Sequence, residues 1–163
     1  MKAIAAMAEN RAIGKDGDLP WRCKGKVSED FKWFKEFTTN KILVVGSKTF
    51  DTLPPLRNRN VVVLTKFSDG YEDGYDPIFN YAWCYKSYEE ILEIDQCQQP
   101  NLICAGGAKT YELFMPYITE FYVTHIKGEY EADVFMPPFE HLFAKKDFVR
   151  EVDGHQVIVY YNR

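Results

Sequence analysis

Paired cysteines, long apolar runs and an excess of positive charge are all missing from this chain, and each absence removes a class of function. The four cysteines, Cys23, Cys84, Cys97 and Cys104, form no Cys-x-x-Cys pair and lie at no histidine spacing suited to zinc. That argues against a structural metal site and for reduced thiols in a cytoplasmic protein. The opening segment Met1–Ala8 is apolar, but Glu9 and Asn10 interrupt it. It is too short for a signal peptide or a membrane span and reads as a buried strand, so no membrane partner is expected. The net charge is −4, so the global basic field of a nucleic-acid binder is absent and no nucleic-acid partner is expected. Any anionic ligand must be held by local Lys and Arg. Repeats, low-complexity tracts and linkers are also lacking. With 163 residues the expectation is a single domain over residues 1–163, and a monomer.

What is present is an alternation of short apolar runs and helical segments, the pattern of an α/β sheet. Strands are predicted at residues 3–8, 42–45, 61–65, 82–85, 102–105, 121–126, 148–152 and 157–161. The first five mostly read as continuous apolar runs, as in strands covered on both faces. The last two flank Asp153-Gly154, a hairpin signal, so a central, mostly parallel sheet of about eight strands should end in an antiparallel C-terminal pair. Four helices fit between them. One spans about 28–39, a short one follows Ser47, a third begins at the Ser87-Tyr-Glu-Glu90 capping box, and a fourth follows Gly106-Gly107 and stops at Pro116. The Gly-, Asp- and Tyr-rich stretch 67–80 reads as an exposed loop.

One carboxylate is out of place in this pattern. Winding residues 28–39 at roughly 100° per residue puts Phe31, Trp33, Phe34 and Phe37 on one arc, with Lys32, Lys35 and Glu36 opposite. Asp30 falls within the apolar arc, not on the charged face. A first-turn acid complementing the helix dipole is one explanation. A pocket carboxylate suited to proton chemistry or to pairing a cationic heterocycle is the other. Spacing alone weighs the two equally.

A series of segments then carries a resemblance along nearly the whole chain. In order they are Ile4-Ala5-Ala6, Ile13-Gly14 through Pro20-Trp21, Glu29-Asp30-Phe31-Lys-Trp33-Phe34, Val45-Gly46-Ser-Lys48-Thr49, Pro55-Leu56-Arg-Asn-Arg59, Val62-Val63-Leu64-Thr65-Lys66, Ala105-Gly106-Gly107-Ala-Lys109-Thr-Tyr111 and Tyr122-Val-Thr124-His125-Ile126. In order and spacing they resemble dihydrofolate reductases.

The resemblance implies reduction of 7,8-dihydrofolate to 5,6,7,8-tetrahydrofolate with NADPH. It casts Asp30 as the acid that promotes protonation of the pteridine ring, Thr124 as its hydroxyl partner, Trp21 as the residue ordering a nearby water, and Leu19 as packing by the reacting ring. Ile4, Ala5, Phe31, Phe34, Leu53 and Leu56 resemble the substrate walls, and Arg59 the arginine that pairs the tail carboxylate through a two-pronged guanidinium. Arg57, nearby, reads as a solvated loop charge. Residues 9–24 resemble a mobile loop closing over the nicotinamide, with Gly14 and Gly17 as hinges. Cofactor contacts fall on Ala6, Ile13, Gly14, Gly17, Lys48, Thr49, Leu64, Thr65, Lys66, Ala105, Gly106, Gly107, Ala108, Lys109, Thr110 and Tyr111. Gly106-Gly107 follows a strand and opens a helix, so free amides there can face a pyrophosphate. The resemblance also implies a cis link within that pair. No metal is implied.

The chain departs from the family pattern in three places. Eight residues, a basic stretch around Lys24 and Lys26, separate Trp21 from Asp30, about twice as many as in short bacterial members. Ser47 stands where many members have Arg, and Ala105 where a larger aliphatic is usual. Among other functions, a nucleotide kinase fails, because Ser47 interrupts the P-loop's Gly-Lys-Ser/Thr and Lys41 occupies its earlier glycine position. A same-fold reductase of riboflavin synthesis is a nearer rival; Asp30 and Arg59 argue for folate over it. A non-catalytic folate-binding protein is a third reading, disfavoured by Asp30 and the loop glycines together.

Overall fold

The computed structural model describes residues 1–21, 29–53, 57–65, 74–76, 80–85, 87–97 and 102–162, with backbone alone for 29, 30, 74–76, 80–85 and 95–97. Along the chain run β1 (Lys2–Ala8), β2 (Ala12–Gly14), α1 (Glu29–Thr38), β3 (Ile42–Gly46), α2 (Ser47–Thr52), β4 (Asn60–Leu64), β5 (Gly74–Asp76) and β6 (Asn80–Tyr85). They continue with α3 (Tyr88–Cys97), β7 (Leu102–Cys104), α4 (Ala108–Phe114), β8 (Glu120–Ile126), β9 (Val134–Phe135), β10 (Lys145–Val152) and β11 (His155–Tyr161).

Nine strands form one sheet in the order β10-β11-β8-β1-β7-β3-β4-β6-β5. The pairs from β8 through β6 are parallel, whereas β5, β11 and β10 pair antiparallel. This is the expected α/β architecture with its C-terminal hairpin, and the count is nine where about eight were expected. The additional strand is β5, within the stretch read as loop. Its three residues, Gly74-Tyr-Asp76, carry too weak a strand signal to be seen without the β6 edge that pairs them. The small pair β2–β9 escaped for the same reason.

Side-chain alternation along the strands splits the core between two faces. Leu43, Val45, Val61, Val63, Ile103 and Ile4 pack with Phe31 and Trp33 of α1 on one face. Ala3, Met7, Val44, Val62 and Cys104 pack with Ile91 of α3 and Tyr111 and Phe114 of α4 on the other. Both faces are covered, so the central strands had to be apolar throughout. Two local signals are realised closely. Asp153 and Gly154 both have positive φ, 51° and 77°, as a two-residue type I′ hairpin turn requires. Pro116, which lacks an amide hydrogen, sits in a 3₁₀ turn, Met115–Tyr117, just past the end of α4. Among the described residues no helix is long and apolar enough to cross a membrane.

Candidate functional site

The site grows from α1. Its apolar arc presses onto the sheet: Phe31 and Phe34 stack at 6.0 Å and 15°, and Phe37 meets Tyr122 of β8 at 4.6 Å. From outside, Arg150 of β10 lies over Trp33 at 5.1 Å and reaches Glu36 at 3.4 Å. This packing fixes the first turn, where the backbone of Asp30 directly precedes Phe31. The Asp30 side chain lies outside the described atoms, as do Leu56, Lys66 and residues 22–28, which include Lys24 and Lys26.

On the face that α1 covers, β8 presents Thr124, in register with Ala6 of β1. Thr124 is 1% exposed, and its Oγ1 finds no hydrogen-bond partner among the described residues. A buried hydroxyl left alone costs about 1–3 kcal/mol, so an orphan here marks a place where another group is meant to arrive. The indole Nε1 of Trp21 is a second orphan among the described residues, with its ring edge-on to Tyr130 at 6.1 Å. Ile4 and Leu53 belong to the α1-side cluster. Ala5 is turned by strand alternation toward the opposite cluster, so it meets the α1 side through its backbone and not its methyl group.

The second half of the site lies at the carboxyl ends of β3 and β7. These strands are parallel neighbours, so α2 and α4 start side by side. Gly46 N donates to Gly106 O at 2.9 Å and Ala105 N to Val44 O at 2.9 Å. The Gly106–Gly107 peptide is cis. A Cβ on Gly46 would stand 2.9 Å from Thr110 Oγ1, and one on Gly107 would stand 3.2 Å from Thr49 Oγ1. The glycines thus keep open a cradle rimmed by Thr49, Thr110 and free helix-end amides. Such a donor set suits an anionic diphosphate. Tyr111 ties the cradle to the α1 side, because its hydroxyl donates to Ile4 O at 2.6 Å. Thr110 and Tyr111 are buried, whereas Lys48 and Lys109 are exposed and Ala108 half-buried. Leu64 packs against the α3–α4-side cluster, and Thr65 is buried at the end of β4.

Arg59 is 5% exposed. Its Nε donates to Thr38 Oγ1 at 2.8 Å, Nη1 to Arg57 O, and Nη2 to Lys35 O and to Thr39 Oγ1 at 3.1 Å. Desolvation lowers its pKa. The guanidinium therefore binds one carbonyl near the C-terminus of α1, that of Lys35, while lining a cleft of about 430 Å³ with Lys35, Thr39, Arg57 and Asn58. The two-pronged reading from sequence meets a guanidinium already engaged by its own protein.

Residues 9–18 are clamped to residues 128–140. Glu9 N donates to Gly128 O at 3.0 Å, Asn10 Nδ2 to Tyr130 O at 2.8 Å, and Asp16 N to Asp133 Oδ2 at 3.0 Å. Gly17 has φ +79°, and a Cβ on Gly14 would meet Val134 Cβ at 3.0 Å. Ile13 packs on the α3–α4-side cluster, and Leu19 is half-buried with its amide on Asp18 Oδ1 at 2.7 Å. Arg11, at φ 68°, anchors the clamp: Nε to Met136 O at 3.0 Å, Nη2 to Pro137 O at 2.8 Å, and Nη1 to Glu140 Oε1 at 2.6 Å. Behind it, Tyr160 Oη and His125 Nε2 are 2.9 Å apart. Sequence reasoning missed Arg11, His125 and Glu140, because no local pattern signals partners as far apart as Arg11 and Glu140, 129 residues, or His125 and Tyr160, 35 residues.

The dihydrofolate reductase family model matches residues 1–160. A dihydrofolate reductase of Bacillus subtilis is 34% identical over 139 residues, covering 84% of this chain and 75% of that protein. One from Staphylococcus haemolyticus is 31% identical over 136 residues, covering 82% of this chain and 74% of that protein. Among solved structures, dihydrofolate reductase from Enterococcus faecalis, complexed with NADP(H) and RAB-propyl, superposes with a TM-score of 0.79 at 28% identity. It covers 98% of this chain and 94% of that one.

Proposed function

The chain belongs to the dihydrofolate reductase family of NADP-dependent oxidoreductases, and from that premise we propose that it reduces 7,8-dihydrofolate to 5,6,7,8-tetrahydrofolate with NADPH, Asp30 promoting protonation of the pteridine ring. The observation that carries the mechanism is the orphan hydroxyl of Thr124, buried on the sheet face covered by the helix whose first turn holds Asp30. NADPH supplies the hydride when bound.

The chain's own residues divide the remaining work. The cradle of Gly46, Thr49, Gly106, Gly107 and Thr110 would suit a diphosphate, since a Cβ on Gly46 or Gly107 would crowd the Thr110 and Thr49 hydroxyls on its rim. Lys48, Thr65, Lys66 and Lys109 offer the donors and charge for a further phosphate. Ala6, Ile13, Leu64, Ala105, Ala108 and Tyr111 would line the cofactor's path. Phe31 and Phe34, with Ile4 and Leu53, form flat apolar walls, and Leu56 would complete them. Asp30 and Thr124 hold one edge of the substrate ring and favour a proton on the nitrogen beside the reacting carbon. Trp21, whose indole N–H has no partner among the described residues, and Leu19 follow the clamped segment directly and would exclude water from that step. Arg59 offers charge to the substrate's tail.

We also read the protein as a single-domain cytoplasmic monomer without nucleic-acid or membrane partners. In support of the monomer, the edge strand β10 carries Lys145, Lys146 and Arg150 and a bulge between Phe148 and Arg150, features that discourage pairing with another sheet.

The test is loss of NADPH absorbance on mixing with dihydrofolate, with NADH in parallel. Rapid decay that depends on dihydrofolate and favours NADPH is expected. Turnover of a pyrimidine intermediate of riboflavin synthesis, with dihydrofolate untouched, would overturn the reading.

A further inference from the structure

The indole of Trp21 is half-buried, but its Nε1 is fully buried and has no partner among the described residues. The ring thus enters the protein N–H end first, and its tilt decides where that donor points. The aromatic ring it meets is Tyr130, edge-on at 6.1 Å and 67°. Tyr130 follows β8, the strand that carries Thr124, and three features fix its place. Gly128, at φ +97°, turns the chain after Ile126, and a Cβ there would stand 3.5 Å from the Tyr130 ring. The Tyr130 hydroxyl donates back to Lys127 O at 3.3 Å. Asn10, in the segment that leads to Trp21, holds the Tyr130 backbone at two points: its Nδ2 donates to Tyr130 O at 2.8 Å, and Tyr130 N donates to its Oδ1 at 3.4 Å. A side-chain amide supplies the donor and the acceptor together, which an ionised carboxylate of the same size does not.

We propose that Tyr130 is a positioning residue for the reduction: latched by Asn10, its ring sets the tilt of the Trp21 indole and so aims the buried N–H toward the substrate ring. This rests on the reductase reading above, in which Trp21 orders a water near the ring nitrogen that gains a proton. An edge-to-face aromatic pair has a preferred geometry, because the positive edge of one ring seeks the negative face of the other. The contact therefore resists rotation of the indole in a way that an aliphatic side chain of similar size does not. A donor held in place beforehand costs no reorganisation when the proton moves. Tyr130 acts on that step through Trp21, without touching substrate or cofactor itself.

The test follows the indole N–H resonance of Trp21, identified by its loss in Trp21→Phe, with the pH profile of kcat beside it. Adding folate and NADP⁺ to the unaltered enzyme should move that resonance, as the donor gains its partner. In Tyr130→Leu the resonance should already differ in the free enzyme, and kcat should fall about two- to tenfold, the worth of one edge-to-face pair. The alkaline fall of kcat should also move to lower pH, since a misplaced donor favours the protonated ring less. The Michaelis constant for NADPH should hold, because the phosphate cradle lies at the ends of β3 and β7. Asn10→Asp, which keeps the acceptor and loses the donor, should produce the same changes to a smaller degree. Tyr130→Phe keeps the ring and should behave as the unaltered enzyme does. An unmoved resonance and pH profile in Tyr130→Leu overturns the proposal, even where kcat or the thermal midpoint falls, and so does a Tyr130→Phe protein that behaves like Tyr130→Leu. Failure of the unaltered enzyme to oxidise NADPH with dihydrofolate would instead overturn the reductase reading.

Discussion

At Thr124 a hydroxyl is buried at 1% exposure with no partner among the described residues, and a methyl group of the same shape would relieve that cost. Thr124→Val should therefore leave the thermal midpoint unchanged or slightly higher, yet lower turnover about tenfold, roughly one lost hydrogen bond at the reacting ring. A calorimetric scan beside an NADPH assay checks both halves; full turnover would put the hydroxyl outside the chemistry. Asp30→Asn changes no volume and leaves the α1 packing arc untouched. Circular dichroism and NADPH binding should be retained while turnover at neutral pH falls by about 10²–10⁴, the usual contribution of a positioned acid or base. Unchanged turnover would remove Asp30 from the mechanism. Asp30 stood out in the sequence because a carboxylate on an apolar helical arc breaks the pattern, while spacing alone weighed a first-turn acid and a pocket acid equally. Thr124 was not legible from spacing, since a threonine in a strand violates nothing until its burial and lack of partner are seen. Lys35 and Arg57 were hidden for a related reason: charges on the polar side of a helix and in a loop look solvated until the fold places both on one cleft.

The segment leading to Leu19 and Trp21 is fixed by the clamp between residues 9–18 and 128–140. Here Glu140 joins Arg11 to the turn after Pro137-Pro138. Burial pushes the Glu140 carboxyl up, but hydrogen bonds from Arg11 and from the backbone amides of Glu140 and Phe139 outweigh it, and the net shift is downward. A depressed carboxyl pKa contributes stability that is present above the unfolded value, about 4.5 for this group, and is lost as pH falls through the lowered folded value. Glu140→Gln should remove that part of the acid dependence. Because the pair is partly exposed, the loss at neutral pH should be at most about 1 kcal/mol. Hydrogen exchange at the amides of Asp16, Asp133 and Met136, which donate across the clamp, should quicken up to about fivefold. Exchange unchanged at all three would mean that the clamp holds without the ion pair. Strands β2 and β9 belong to this clamp and were invisible in the sequence, because two or three residues give no periodicity and their stability comes from pairing with each other.

Across the whole molecule the two sheet faces differ: the α1 face carries the candidate proton chemistry, and the α3–α4 face carries the larger apolar cluster. Cys104 lies on the latter, and burial pushes its thiol up to about 12, so it has packing value and no nucleophilic one. His125, one residue from Thr124 but on the opposite face of β8, has its pKa lowered by burial, with Lys146 and Arg11 adding to the effect and Glu140 opposing it. A half-buried histidine held neutral gives stability that is full above its unfolded value of 6.5 and is lost as pH falls through the lowered folded value. The thermal midpoint should thus begin to fall below about pH 6.5, by about 2–4 °C for each kcal/mol lost in a chain of this size, and His125→Gln should flatten that part of the profile. A profile identical in the variant would assign the acid sensitivity to other groups. By itself the sequence determined the order and type of most elements, the C-terminal hairpin and the family, because these follow from apolar periodicity, turn chemistry and short motifs that neighbouring residues write locally. Only the tertiary structure decided the four-donor engagement of Arg59, the orphan hydroxyl of Thr124 and the partners of Arg11. Each of these depends on groups distant in sequence, brought together by strand pairing that places β8 against β1 and the turn before β4 against the end of α1.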